Sequence, residues 1–263
     1  MSLDQSDYEY RGLKAATWDL FRSGASEWED VAFYRDMILH SGQPALDVGC
    51  GTGRLLLDYL SEGIDIDGVD NSPEMLALCR EKAERRGLRP HLYRQRMQAL
   101  NLPRLYRTII VPSSSFQLLM EPGDAGDAMD CFYRHLEPGG TLVMPFMILC
   151  TGPDKRDTVT VDWRLSVEKV RADGATVRLW SRTVFDMVRR LEHVEDRFEI
   201  VRDGQMVMSE DHNKSPATCW YTQTQALDLY EIAGFEDVHL VSGFTEQTAQ
   251  PDDVIFCGVG TRP

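Results

Sequence analysis

Apolar and polar positions change period three times along the chain. From Tyr8 to Ser41, Trp18, Leu20, Phe21, Trp28, Val31, Phe33, Tyr34, Met37 and Ile38 recur as in helices, around breaks at Gly24 and Gly42. Short apolar runs then alternate with helical patterns. A run at Ala45–Val48 carrying Asp47 precedes leucines between Arg54 and Leu60, and a second run, Ile64–Asp70, ends on an acid. Ser72 and Pro73 open a helix holding Met75, Leu76, Leu78, Cys79 and Ala83 and stopped by Gly87. Further strands are expected at Pro90–Gln95, Thr108–Val111 and Thr141–Phe146, with a helix over Asp124–Leu136 and a turn at Glu137–Gly140. Such alternation predicts an α/β fold with a doubly wound parallel sheet.

From Asp157 to Ser209 the period drops to two, as in Val159, Val161, Trp163, Leu165 and Val167, with hairpin turns signalled at Asp173-Gly174 and Asp203-Gly204. This predicts an antiparallel β-sheet inserted between the fifth strand and the last helix, expected to lie as a lid over the core. The helical pattern returns with a capping box at Thr222 and Gln225 and runs through Leu227, Leu229, Ile232 and Ala233 to Gly234, before strands at Phe235–Ser242 and Asp253–Val259. The expected division is a helical cap over 1–42, a core of 43–150 and 216–263, and a β lid over 151–215.

Composition narrows the partners. The chain has 263 residues, 43% of them hydrophobic, enough for one full α/β core with an elaboration. A formal charge of −14 disfavours nucleic acid, whose binding draws on lysine and arginine clusters. Six scattered cysteines, at 50, 79, 131, 150, 219 and 257, form no CxxC pair, so neither a disulfide nor a metal site is expected. The first residues lack the pattern of a secretory signal, and the longest apolar run, Leu142–Cys150, is too short to span a bilayer. The expectation is a cytoplasmic protein with no membrane partner; self-association as a homodimer is left open.

The chemistry concentrates at Gly49, Gly51 and Gly53, three alternate glycines between a strand and a helix. Such a turn presents backbone N–H groups where a polar or anionic ligand group can sit. The dinucleotide fingerprint G-x-G-x-x-G is one residue longer. Asp70, 23 positions beyond Asp47 at the end of the next strand, suits a carboxylate that accepts from ribose hydroxyls and is the first ligand candidate, the alternative being a helix-capping acid.

The stretch Asp47-Val48-Gly49-Cys50-Gly51-Thr52-Gly53 closely resembles the first motif of the class I S-adenosylmethionine-dependent methyltransferases, and the resemblance runs from about Gln43 to Phe146. It implies a seven-stranded sheet, parallel except for one antiparallel strand, with S-adenosyl-L-methionine as cofactor. It also implies cofactor contacts at Asp47, Gly49, Cys50, Gly51 and Gly53, with Asp70 on the ribose and Asn71 and Met75 near the adenine; Met75 reads equally as core. The acid that such enzymes commonly place by the adenine amino group is missing. Arg96-Met97-Gln98 stands there, so Met97 and Gln98 become the adenine candidates. Ser113, in the loop after the fourth strand, faces the transferred methyl by backbone in this reading. That loop, Pro112-Ser113-Ser114-Ser115, lacks the Asp/Asn-Pro-Pro-aromatic motif of nucleic-acid amino-methyltransferases. An N-terminal aromatic often covers the cofactor in this class, which points to Trp18 or Tyr34, though both read equally as packing.

The expected activity is methyl transfer to N or O of a small-molecule acceptor; the alternative is a non-catalytic module binding S-adenosylmethionine or S-adenosylhomocysteine, and a dinucleotide oxidoreductase is disfavoured by the loop spacing. A base for the acceptor proton would come from His212, Tyr221, His193 or His135, with His212, in Glu210-Asp211-His212-Asn213, considered first as following the inserted sheet. Arg164, Arg178, Arg182, Arg189, Arg190 and Arg197 recur in the insertion, either receiving an anionic substrate group or lining a solvated strand face.

Overall fold

A computed structural model describes residues 8–22, 29–151 and 157–263; Gly24 and Trp28 lie outside these. The chain divides into two compact units, Met1–Ser26 with Cys150–Cys219 and Glu27–Leu149 with Trp220–Pro263. In chain order, helices α1 (Gly12–Ala16) and α2 (Trp18–Arg22) belong to the smaller unit, and α3 (Glu29–Ser41) opens the larger. There follow β1 (Ala45–Val48), α4 (Leu56–Ser61), β2 (Ile66–Asp70), α5 (Pro73–Arg85), β3 (Leu92–Arg94), β4 (Tyr106–Ile110), α6 (Asp124–His135) and β5 (Leu136–Met147). Strands β6 (Thr158–Val170), β7 (Thr176–Asp186), β8 (Leu191–Arg202) and β9 (Gln205–Cys219) make up the insertion, and α7 (Gln223–Ile232), β10 (Glu236–Ser242) and β11 (Ile255–Thr261) complete the larger unit.

The larger unit is built on a seven-stranded sheet in the order β10-β11-β5-β4-β1-β2-β3. Strand β11 runs antiparallel to both of its neighbours, and the remaining pairings are parallel, as expected. All four residues of β1 are buried, because helices cover both faces of a sheet of this kind. Local signals set the helices. The Ser72 hydroxyl caps α5 by accepting from the Met75 N–H at 3.1 Å, and Thr222 and Gln225 close a full capping box on α7. The expected turn at Glu137–Gly140 is absorbed into β5 as an irregularity: Leu136 pairs with Tyr106 and Thr141 with Thr108. The intervening backbone finds partners elsewhere, Gly139 N–H donating to Arg262 O and Arg262 N–H to Gly140 O.

The smaller unit holds an antiparallel sheet in the order β6-β7-β8-β9. Both signalled hairpins form, with Gly174 and Gly204 at positive φ. The hairpin between β7 and β8 carries no glycine; the Asp186 carboxylate accepts from the Val188 and Arg189 N–H groups, and Arg190 takes a φ of 56°. Strand β9 continues beyond the expected end at Ser209, since Leu191 of β8 still pairs with Cys219. Arg178, Arg182 and Arg197 pair with Glu168, Glu195 and Asp211 on neighbouring strands, as a solvated strand face would. Residues 8–22 join this sheet, whereas the sequence grouped 1–42 as one cap. Leu13 packs with Ala175, Phe198 and Ile200, its N–H donates to Glu210, and Glu9 takes both Lys14 and Lys214.

Glycines of β11 locate a tight contact. The Tyr230 ring of α7 lies over them, its hydroxyl donating to Gly258 O at 2.8 Å, and a Cβ at Gly258 would come within 2.7 Å of the ring. Gly258→Ala is expected to cost about 1–3 kcal/mol by overpacking. Gly126→Ala, in α6 with open space around it, should gain about 0.5–1 kcal/mol. Urea denaturation of both variants checks the pair, and opposite signs are expected.

Candidate active site

The parallel register Val48↔Val69 brings the carboxyl ends of β1 and β2 side by side. The chain leaves β1 through three left-handed residues, Gly49, Gly51 and Gly53, with φ of 75°, 55° and 82°. Space excludes side chains as firmly as conformation does. A Cβ at Gly49 would lie 2.7 Å from Ser115 Oγ, and one at Gly53 2.6 Å from Cys79 Sγ, whereas at Gly51 nothing comes nearer than Met75 Cε at 3.4 Å. Gly49 and Cys50 N–H both donate to Val69 O, and Gly53 N–H to Cys50 O, so the turn is pinned to β2.

Asp70 stands at the end of β2 and faces this turn. One carboxylate oxygen accepts from Gly51 N–H at 2.9 Å, the other from Ser72 N–H at 2.8 Å. Burial raises its pKa, and the backbone donors of Ser72, Gly51 and Asn71 pull it back toward the ionised form. Behind the turn two buried acids meet a half-buried arginine. The Arg54 guanidinium grips Asp30 of α3 with both terminal nitrogens, at 2.9 and 2.6 Å. Asp47 is buried beside them, with one carboxylate oxygen lacking a hydrogen-bond partner among the described residues. Burial, opposed by Arg54 and reinforced by Asp70 and Asp30, pushes the Asp47 pKa up to about 7.

Other expected site residues distribute unevenly. Met75 is buried directly beneath Gly51. Cys50 is a corner of the turn: its thiol is buried against Gly68, with its pKa raised by that burial, its N–H donates to Val69 O of β2, and its carbonyl accepts from Gly53 N–H. Ser113 sits in the loop after β4 at a left-handed φ of 58°, and Ser115 of the same loop donates to Pro112 O while touching the Gly49 position. Met97 and Gln98 form a 3-10 turn with Ala99 against α6; Met97 packs on the core, and Gln98 Nε2 donates to Asp124 at 2.8 Å, an acid not singled out by its place in the sequence. Tyr34 is wholly buried against Phe33 and Phe244, a core residue.

Tyr221 packs between Phe116, in the loop that follows β4, and Phe146 of β5, beside the carboxyl ends of the strands. Trp18 and His212 belong to the smaller unit. Trp18 meets the edge of Tyr10 and lies under the Arg22 guanidinium. His212 does not follow the sheet: it lies within β9, against Phe198, with Nε2 at 2.8 Å from Glu210. His193 contacts the Ser215 hydroxyl through Nδ1. Both ring nitrogens of His135 are engaged, Nε2 accepting from Leu102 N–H and Nδ1 donating to Cys131 O, which removes it from the bases considered.

Residues 45–140 match a family model described as a methyltransferase domain. Over 176 residues the chain is 30% identical to a dTDP-3-amino-3,4,6-trideoxy-alpha-D-glucopyranose N,N-dimethyltransferase of Streptomyces venezuelae, spanning 65% of this chain and 69% of that one. Among solved structures, an S-adenosylmethionine-dependent methyltransferase from Clostridium acetobutylicum superposes with a TM-score of 0.72 at 17% identity, covering 95% of this chain and 97% of the other. Streptomyces venezuelae DesVI superposes with a TM-score of 0.70 at 23% identity, covering 97% and 100%. The overall fold is thus shared with these structures.

The buried Asp47 carboxyl sets a pH dependence. In the unfolded chain it titrates near its ordinary 3.8, in the native state at about 7, so between these values the native state keeps a proton that the unfolded state has lost. Stability contributed at this position therefore falls as pH rises across that window, and the loss is complete above about 7. Asp47→Asn should gain on the wild type steadily from about pH 4 to about pH 8 in paired thermal melts. Parallel melting curves across that range would place the carboxyl at its ordinary value.

Proposed function

The chain belongs to the S-adenosylmethionine-dependent methyltransferases, and from that premise we propose that it methylates a nitrogen or oxygen of a small-molecule acceptor, with amino sugars the first class to try. The observation that carries the reading is the Asp70 carboxylate, held by the N–H groups of Gly51 and Ser72 at the mouth of the glycine turn. The surroundings suit the cofactor. The turn is open at Gly51 apart from Met75, and the orphaned Asp47 oxygen at its root is a buried acceptor in want of a donor. The amino sugar class is suggested by the Streptomyces relative, whose name specifies N,N-dimethylation of a 3-amino sugar nucleotide.

In this reading Asp70 receives the ribose hydroxyls, while the left-handed turn and Asp47 receive the amino-acid end, with Gly49, Gly51 and Gly53 letting the backbone come close. Asn71, Met97 and Gln98 line the adenine side and Ser113 the methyl side. When bound, S-adenosylmethionine supplies an electrophilic methyl group, so the protein's contribution is alignment of the acceptor and removal of its proton. Tyr221, beside the loop that follows β4, is the residue assigned to hold the acceptor and relay its proton.

Two measurements test this. Calorimetric titration with S-adenosylhomocysteine should show Asp70→Ala weakened by about 10- to 100-fold, the cost of losing charge-assisted hydrogen bonds to two hydroxyls. Equal affinity in the two proteins would remove Asp70 from the ribose. With an amino sugar nucleotide as acceptor, Tyr221→Phe should lower kcat by about 10²-fold and leave S-adenosylhomocysteine affinity unchanged.

A further inference from the structure

The acid that would accept from the adenine amino group is replaced by Arg96-Met97-Gln98, and α6 supplies a carboxylate at the same turn from elsewhere in the chain. Gln98 Nε2 donates to Asp124 Oδ2 at 2.8 Å. A carboxylate only accepts, so the Gln98 amide cannot flip without setting oxygen against oxygen. Its NH2 arm is turned to Asp124 by that bond, and its carbonyl arm takes no hydrogen bond from the described residues. Asp124 is the first residue of α6, a position in the first turn where acidic side chains complement the helix dipole.

The backbone under Gln98 is fixed as well. Met97 packs into the core, and the segment is tied again at Leu102, whose N–H donates to His135 at the far end of α6, 3.1 Å away. One helix therefore holds the turn at both ends, by Asp124 and by His135. An amide held in this way keeps its carbonyl oxygen as a neutral acceptor while its NH2 is turned to Asp124.

We propose that Asp124 is a positioning residue for cofactor specificity: it locks the Gln98 amide so that the carbonyl oxygen accepts from the exocyclic amine of adenine, in place of the missing acid. This rests on the cofactor reading above. A base that carries oxygen in place of the amine would meet acceptor with acceptor, and a desolvated pair of that kind is rejected.

The test is calorimetric titration with S-adenosylhomocysteine and with its deaminated counterpart, in which hypoxanthine replaces adenine, on wild type, Asp124→Ala and Gln98→Leu. The wild type is expected to prefer the adenine ligand by about 10- to 100-fold. In Asp124→Ala the amide is free to turn its NH2 toward the hypoxanthine oxygen, and the preference should fall to within about threefold. Gln98→Leu leaves Asp124 and the start of α6 intact and should lose the preference through weaker adenine binding. Equal weakening of both ligands in Asp124→Ala, with the wild-type ratio retained, overturns the proposal, as does a retained preference in Gln98→Leu. Failure of the wild type to bind either ligand would overturn the cofactor reading itself, a result distinct from tight adenine binding with an unaltered ratio.

Discussion

A hydrogen bond from the Gly51 N–H to the Asp70 carboxylate joins the two elements on which the larger unit's chemistry depends. It exists because β1 and β2 are parallel neighbours in register, so that their carboxyl ends finish together, and because Gly51 can adopt a left-handed φ that aims its N–H at β2. A side chain at Gly49 or Gly53 would strike Ser115 or Cys79, and the turn would have to move away from the acid. Ligand binding outside the carboxyl ends of parallel strands is a general property of open α/β sheets, and here it reduces to the meeting of one amide and one carboxylate.

The turn is also held from behind by charge. Asp30, Arg54 and Asp47 come from α3, the turn before α4 and β1, with both acids buried and Arg54 half-buried between them. Arg54 is gripped by Asp30 in a bidentate pair, leaving Asp47 with an opposite charge nearby and an oxygen without a partner among the described residues. Burying two acids around one base is costly, and the cost falls on Asp47 as a raised pKa. Carboxyl groups perturbed in this way cluster at functional sites.

Short-range signals were legible where a single residue type has one cheap solution. Ser72 before Pro73, Thr222 three residues before Gln225, and the Asp-Gly pairs at 173–174 and 203–204 all form the caps and turns that their chemistry predicts. The hairpin at 187–190 was not legible, because an aspartate side chain and a left-handed arginine replace the glycine signal. The course of β9 past Ser209 was hidden for a related reason: its polar stretch Ser209–Lys214 looks like a loop until β8 supplies the pairing partners. His212 accordingly moves from a charged turn to the middle of a strand, and His135 from base to bracket, since both of its ring nitrogens are used.

The sequence alone determined the class of fold and the place of the glycine turn, because hydrophobic period and glycine spacing are properties of neighbouring residues. It likewise marked Asp70, which follows from the distance between two strand ends. Tertiary structure decided which residues from distant segments share an environment: that Asp30 holds Arg54, that Asp124 faces Gln98 across 26 positions, and that residues 8–22 join the inserted sheet. Those pairings are long-range, and a hydrogen bond between remote side chains leaves no periodicity behind; only the packing of helices and strands brings donor and acceptor within 3 Å of one another.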